Sequence, residues 1–165
     1  MSDLRDLYQE LILDHGRKPR NFRIPENADG KANGHNPLCG DRISIGLCRH
    51  GDRVMDIGFE GAGCAICMAA ASTMSEATKG KTVDEIRQMS DGFVKMLVDG
   101  QGTVPTGLPS KLGVFIGVRE FPMRVKCATL AWHTLEAALA GQVHASSEAD
   151  GAAGKPSVPP LRNGS

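Results

Sequence analysis

The chain has 165 residues, enough for one domain with a buried core but short for two. Its 19 basic and 19 acidic side chains give a formal net charge of zero, which argues against a nucleic-acid partner. No stretch approaches the roughly 18 consecutive apolar residues of a membrane span, so no membrane partner is expected. The charged opening segment 1–6 lacks the apolar core of a signal peptide, and these features together predict a soluble cytoplasmic protein.

The first predicted element is an amphipathic helix. Its apolar residues follow the helical spacing i, i+3, i+4, i+7 and i+8, and they are Leu4, Leu7, Tyr8, Leu11 and Ile12. Gly16 and Pro19 predict the end of this helix. A polar loop rich in Asn, Gly and Pro follows over 21–37, and a short strand is expected within it, over 31–34.

Two strands joined by a tight turn are predicted next. Apolar and polar residues alternate over 43–47 and, less regularly, over 54–60, which is typical of half-buried strands. His50-Gly51-Asp52 between them indicates a hairpin turn. Together with the strand over 31–34, these segments predict a small antiparallel sheet of about three strands.

The rest of the chain is predicted to be mainly helical. Helices are expected from Cys64 to Ala77, after the capping box Thr82-x-x-Glu85, over 109–118, and after Phe121-Pro122 as far as Gly141. The fold class is therefore α+β. Residues 142–165 are mostly Ala, Ser, Gly and Pro, too few of them apolar to form a core, so we expect one domain over 1–141 and a disordered tail over 142–165.

The cysteines carry the chemistry of this sequence, and there are five: Cys39, Cys48, Cys64, Cys67 and Cys127. Without a secretion signal they predict reduced thiols rather than a disulfide framework. Reduced thiols in such a protein bind metals or react, although an inert buried cysteine is also common.

Cys39-Gly40-Asp41 places a soft thiolate and a hard carboxylate two residues apart. A structural zinc site usually takes only Cys and His ligands, so this mixed pair indicates a metal or sulfur site whose ligands exchange. Cys64 and Cys127 fall in or near the first turns of predicted helices, where the helix dipole favours a thiolate. The long separations along the chain leave open whether the three cysteines meet.

Three segments of the sequence resemble the signature blocks of the IscU/NifU-N family of iron–sulfur cluster assembly proteins. They are Asn36–Arg42, Gly61–Ile66 and Phe121–Trp132, and the resemblance covers roughly residues 4–141. It implies an IscU/SufE-like fold with helices packed on one face of the sheet. The metal site would then lie at one end of the sheet, where strand and helix termini meet.

Within that family the chain is similar to the SufU branch. Lys126 precedes the third cysteine, where IscU-type scaffolds carry His, and the segment between the second and third cysteines is longer, as in SufU proteins. The resemblance implies zinc as the cofactor and four residues as its ligands, namely Cys39, Asp41, Cys64 and Cys127. It also implies two catalytic residues, Cys39 and Arg124.

The resemblance implies a zinc-dependent sulfurtransferase. Cys39 would accept persulfide sulfur from a SufS-type cysteine desulfurase and pass it to downstream iron–sulfur assembly proteins. A histidine of the desulfurase would replace Cys39 on zinc, and Arg124 matches a position implicated in that rearrangement. One alternative is an IscU-type scaffold that assembles and transfers a [2Fe–2S] cluster on the same ligands. Another is a structural zinc module, which gives no reason for an Asp ligand.

Cys67 departs from the family pattern. With Cys64 it forms a C-x-x-C sequence, which is typical of redox or zinc-binding motifs. The family usually has a small residue such as Ser here, so we interpret Cys67 as a small buried helix residue. A substitute ligand and a resolving thiol are the alternatives. Cys48, in an alternating strand, is interpreted as a packing or surface residue.

Overall fold

The structure is a computed structural model that describes residues 2–98 and 104–146, with only the backbone described for 2–8 and 146. One helix precedes three consecutive strands, which are followed by the remaining helices and a last short strand. In chain order the elements are α1 (Ser2–Arg17), β1 (Gly30–Asn36), β2 (Asp41–His50), β3 (Arg53–Ala62), α2 (Ala65–Thr78), α3 (Val83–Val98), a 3₁₀ helix (Ser110–Glu120), α4 (Pro122–Leu139) and β4 (His144–Ser146).

Within the described residues the sheet has four strands, in the order β3-β2-β1-β4. The three predicted strands are present and antiparallel, with Asn36 opposite Asp41 at the end of the β1–β2 pair. The fourth strand, β4, lies parallel to β1, so the sheet is mixed. The predicted α+β class is confirmed. The predicted antiparallel sheet of about three strands has in addition a fourth strand, which pairs in parallel.

The additional strand lies inside the segment that the sequence predicts to be a disordered tail. Val143 accepts a hydrogen bond from the backbone N–H of Asn33 at 2.7 Å, and 144–146 continue the pairing. The pairing joins backbone to backbone, so the small and polar side chains that suggested disorder do not prevent it. The ordered part of the chain thus extends past Gly141, and 147–165 lie outside the described residues.

The helices cover one face of the sheet, as expected from the family. Helix α4 packs across β1 and β2, and α2 packs against β3 and α4. The inward side chains of the strands, among them Ile43, Ile45 and Phe59, are at most 1% exposed. Helix α2 contributes Ala69, Ala70 and Ala71, all fully buried, and such small residues let neighbouring helices approach closely.

Local sequence signals determine where the elements begin. Thr82 Oγ1 accepts the backbone N–H of Glu85 at 3.1 Å, and the Glu85 carboxylate accepts the N–H of Thr82 at 2.9 Å, which confirms the predicted capping box. Pro122 stands in the first turn of α4, where its missing N–H costs no hydrogen bond. None of the described helices is long and apolar enough to cross a membrane.

A buried histidine joins α1 to α2. His15 is 5% exposed, and its Nδ1 lies 2.6 Å from Ser72 Oγ. Ser72 Oγ also accepts the backbone N–H of Arg20 at 2.8 Å, so this hydroxyl links the His15 ring to the segment after α1. Burial, then the positive charge of Arg20, lowers the pKa of His15, and the carboxylate of Glu76 opposes this only in part.

We expect acid to weaken the protein through this histidine. Because the pKa of His15 is lower in the folded state, the unfolded state binds more protons, so the free energy of unfolding falls as the pH drops below about 6.5. Urea unfolding between about pH 5 and 7.5 measures this slope. His15→Asn keeps an acceptor and should flatten it, whereas His50→Asn on the exposed hairpin turn should not. Equal slopes in all three proteins would contradict the assignment.

Candidate metal centre

The candidate centre lies at one end of the sheet, where the β1–β2 connection, the segment after β3 and the start of α4 meet. Cys39 stands in the connection between Asn36 and Asp41. Gly40 closes this turn with φ +77°, in the left-handed region that favours glycine, and its N–H donates to Asn36 O at 2.7 Å. The turn leaves Cys39 exposed and places Asp41, at 1% exposure, inside the protein.

Cys127 comes from the far end of the sequence to the same place. It is fully buried in α4, and its Sγ lies 3.8 Å from Cys39 Sγ. One ligand atom each of Cys39, Asp41 and Cys127 lies within 4.8 Å of the others. Two sulfur atoms bound to a tetrahedral zinc at about 2.3 Å are about 3.8 Å apart, so this sulfur pair already has the spacing that zinc requires.

Cys64, the residue directly before α2, lies next to these side chains. It is half-buried, and its sulfur accepts hydrogen bonds from the backbone N–H of Cys67, at 3.5 Å, and from the thiol of Cys127. The structure therefore groups three of the side chains that the family resemblance implies as ligands, Cys39, Asp41 and Cys127, and places Cys64 next to Asp41 without including it in that group. Three sulfurs and one carboxylate form a donor set that fits zinc. That these residues bind metal stays a prediction.

The proton of the Cys127 thiol faces two other sulfurs of the centre, those of Cys39 and Cys64. The hydrogen bond from Cys127 lowers the pKa of Cys64 to about 6, against the effect of its burial. The same bond, burial and the nearby Asp41 carboxylate raise the pKa of Cys127, because a second thiolate there would face two negative charges. A metal ion binding here would release this proton, since thiolate is the form that coordinates.

Two residues with no assigned chemistry hold Asp41 in place. The carboxylate accepts the N–H of Cys64 at 3.0 Å on Oδ1 and the amide of Asn36 at 3.3 Å on Oδ2. Asn36 is fully buried, also lies 3.6 Å from Cys127 Sγ, and accepts the N–H of Leu38. Gly63 lies against the other side, where an added Cβ would be 2.7 Å from Asp41 Oδ1.

Sequence reasoning did not assign a role to either residue, although both belong to the family blocks. Asn36 resembles other loop asparagines in sequence, and only its complete burial shows that its amide supports the ligands. The packing of Gly63 against a side chain 22 residues earlier likewise depends on the fold. Their positions could have indicated these roles, since Asn36 lies three residues before Cys39 and Gly63 directly precedes Cys64.

The predicted catalytic arginine lies near the cluster but outside it. Arg124 is exposed in the first turn of α4, three residues before Cys127, and forms no side-chain hydrogen bond or ion pair with the described residues. Arg42 is also exposed and follows Asp41 directly. Three thiolates and a carboxylate around a divalent ion would leave a net charge of about −2, which a guanidinium group brought close to the centre would offset. The catalytic role of Arg124 stays a prediction.

The two remaining cysteines differ in their relation to the centre. Cys67 is fully buried in α2, which agrees with its interpretation as a buried helix residue, and burial raises the pKa of its thiol. Cys48 is half-buried in β2 opposite Asp56, and it does not join the Cys39–Asp41–Cys127 group. All five cysteines are free thiols.

Comparison with known proteins identifies the architecture around this centre. The model of the NifU-like N terminal domain matches residues 7–145, which include every residue of the cluster. The chain belongs to this family. Membership confirms the resemblance inferred from the three sequence blocks. It also agrees with the position of β4, because the match continues past the predicted boundary at Gly141.

Relatives within the NifU-like family carry two kinds of name. The chain is 40% identical over 139 residues to the zinc-dependent sulfurtransferase SufU of Bacillus subtilis, which covers 84% of this chain and 93% of the relative. It is 33% identical over 150 residues to the iron–sulfur cluster assembly scaffold protein IscU of Streptococcus pyogenes, covering 91% and 93%. The second of these names places the family in iron–sulfur cluster assembly.

A solved structure supports the same fold. The putative scaffold protein for the SUF system from Fervidobacterium islandicum, a SufU, superposes with a TM-score of 0.75 at 34% identity. The alignment covers 81% of this chain and 96% of that structure. The NifU-like family thus supplies the fold and the general role in iron–sulfur cluster assembly.

Proposed function

We propose that this protein is a zinc-dependent sulfurtransferase that accepts persulfide sulfur from a SufS-type cysteine desulfurase. The observation that carries the proposal is the difference in burial within the cluster. Cys39 is exposed, whereas Asp41 and Cys127 are buried. A partner's active-site cysteine can therefore reach Cys39 while the other side chains remain inside. The identity of 40% to the Bacillus subtilis SufU, against 33% and 34% to two IscU relatives, supports the same choice.

Cys39 would react as a nucleophile. Its thiolate attacks the outer sulfur of the persulfide on the desulfurase, and a new S–S bond forms at Cys39. The S–S bond on the desulfurase breaks, and its electron pair leaves with the desulfurase cysteine as a thiolate. No external oxidant or reductant is needed, because one sulfur atom passes between two thiols. Zinc, when bound, supplies the positive charge that keeps Cys39 deprotonated.

The neighbouring residues support this step. Asn36 and Gly63 hold Asp41, so three donors stay fixed while Cys39 lies on a turn closed by Gly40. Arg124, one turn from Cys127, would offset the negative charge of the centre as Cys39 leaves it for the partner. We infer that sulfur continues to downstream iron–sulfur assembly proteins. The five free thiols suit the reducing cytoplasm, where we place the reaction.

A scaffold that builds a [2Fe–2S] cluster is the second candidate. It is favoured by the IscU relatives and by the three sulfurs of the centre, since thiolates are the usual ligands of such clusters. Lys126 argues against a scaffold, because IscU-type scaffolds carry a histidine at this position, directly before the third cysteine. Iron-loaded protein that passes an intact cluster to an apo-acceptor would support the scaffold instead.

Persulfide trapping tests the proposal directly. Zinc-loaded protein is mixed with a SufS-type desulfurase and cysteine, alkylated rapidly, and digested for mass spectrometry. We expect one additional sulfur atom on the peptide that contains Cys39, and the same result for the control Cys48→Ala. Alanine production without any persulfide on Cys39, or a persulfide on another cysteine, would contradict the assignment.

A further inference from the structure

We propose that Cys64 and Cys67 form a redox-active dithiol, in which a hydroperoxide oxidises Cys64 and Cys67 closes a disulfide across the first turn of α2. Closing this disulfide would remove Cys64 from the metal centre and release the metal. The release rests on the proposed function, because it takes Cys64 as a ligand. The formation of the disulfide does not depend on it.

The geometry of the first turn brings the two residues together. Cys64 is the N-cap of α2 with extended dihedral angles, φ −71° and ψ 168°, and its sulfur accepts the N–H of Cys67 at 3.5 Å. The Cys64 sulfur is thus folded over the turn that carries Cys67. Residues three apart on a helix have Cβ atoms about 5–6 Å apart. Cβ atoms of disulfide-bonded residues lie about 3.5–4.5 Å apart, so the two Cβ atoms would approach each other by about 1–2 Å to close the bond.

Burial assigns different roles to the two sulfurs. Cys64 is half-buried and open to a small oxidant, whereas Cys67 is fully buried and shielded from one. The Cys67 thiol nevertheless lies close enough to Asp41, Cys64 and Cys39 to interact electrostatically with them. Cys64 is therefore the sulfur that an oxidant reaches, and Cys67 is the resolving thiol behind it.

Cys67 is also the thiol that stays available when metal is bound. Cys39 and Cys127 lie 3.8 Å apart and could pair in the metal-free protein, but both are proposed ligands. Cys67 is the cysteine beside the centre that the proposed ligand set leaves unused. It can attack an oxidised Cys64 without first leaving a metal ion.

The chemistry balances with one peroxide. The Cys64 thiolate attacks a peroxide oxygen, the O–O bond breaks, and hydroxide or alkoxide leaves, so that Cys64 becomes a sulfenic acid. Cys67 attacks that sulfur, the S–O bond breaks, and water leaves with the proton of the Cys67 thiol. Two thiols thereby lose two electrons to one hydroperoxide. A dithiol reductant returns both thiols by exchange.

The test treats the zinc-loaded full chain with hydrogen peroxide. A chromophoric chelator follows zinc release, and peptide mapping after alkylation identifies the disulfide. Trypsin leaves Cys64 and Cys67 on one peptide, 54–79, whereas Cys39 and Cys127 lie on two other peptides. We expect peptide 54–79 to lose two hydrogens in step with zinc release, and dithiothreitol to reverse both.

Cys67→Ser is the matched variant, because it keeps the size of the side chain and leaves Cys64 in place. It should bind zinc as the wild type does but lose the disulfide, and a sulfenic acid at Cys64 should then be trapped by dimedone on peptide 54–79. Cys48→Ser, which changes a cysteine away from the centre, should behave as the wild type does.

Two results would overturn the proposal. One is a first disulfide that links the peptides of Cys39 and Cys127, or either of them to 54–79. The other is zinc release from Cys67→Ser at the wild-type rate with no sulfenic acid trapped by dimedone at Cys64. Failure of the proposed function is distinguishable, because persulfide trapping at Cys39 can fail while the intrapeptide disulfide still forms.

Discussion

Replacing Cys39 with alanine is expected to reduce the stimulation of a SufS-type desulfurase by roughly a thousandfold, or to the rate of the desulfurase alone. Cys39 is the exposed sulfur of the cluster and the proposed nucleophile, and no other described thiol combines exposure with this position. The side chain lies on a surface turn, so its removal leaves no cavity in the core. Alanine released over many turnovers is the measurement.

Cys48→Ala is the matched control for this experiment, since it removes a half-buried thiol from β2, outside the ligand group. We expect it to stimulate the desulfurase as the wild type does. Undiminished multiple-turnover alanine production by Cys39→Ala would exclude Cys39 as the sulfur acceptor. A loss in both variants would instead indicate a general effect on folding.

Gly63→Ala is expected to weaken zinc binding by about 10- to 100-fold without removing any ligand. The new Cβ would lie 2.7 Å from Asp41 Oδ1 and 3.2 Å from both Cβ and Cγ of Asp41. Asp41 is buried and accepts two hydrogen bonds, so a shift away from the new Cβ would disturb these bonds and displace the carboxylate from the centre. Competition with a chelator of known affinity measures the change.

The control for Gly63→Ala is Gly92→Ala in α3, where an added Cβ meets Pro105 at an ordinary 3.6 Å. It should leave zinc affinity unchanged, and its helical position should make it at least as stable as the wild type. Zinc affinity that is equal in Gly63→Ala and the wild type would show that Asp41 is not a ligand, or that it binds from another position.

Local patterns in the sequence were sufficient for most of the fold. Alternation over 43–47 gave β2, and the pair Thr82 and Glu85 marked the start of α3, because both signals depend on neighbours within a few residues. Strand β4 could not be found in this way. It is held through backbone pairing with β1, and backbone pairing leaves little trace in side-chain composition.

The centre itself was predictable only through family resemblance. Cys39 and Cys127 are 88 residues apart, and no spacing rule brings such residues within 3.8 Å. The roles of the supporting residues were harder still to predict from the sequence. The role of Asn36 depends on its burial, and that of Gly63 on a close approach between two connecting segments. Cys67 shows the opposite case, since its departure from the family pattern was visible in the sequence and its geometry was not.

Strand β4 has a consequence for how the protein behaves in solution. The outer edge of β3 is already occupied, because Phe59 donates to Asn21 and Val54 pairs with 80–81. β4 occupies the opposite edge, along β1. Open sheet edges recruit strands from other molecules. A chain cut at Gly141 would keep all four proposed ligands but uncover the edge of β1, so we expect it to self-associate more readily than the full chain.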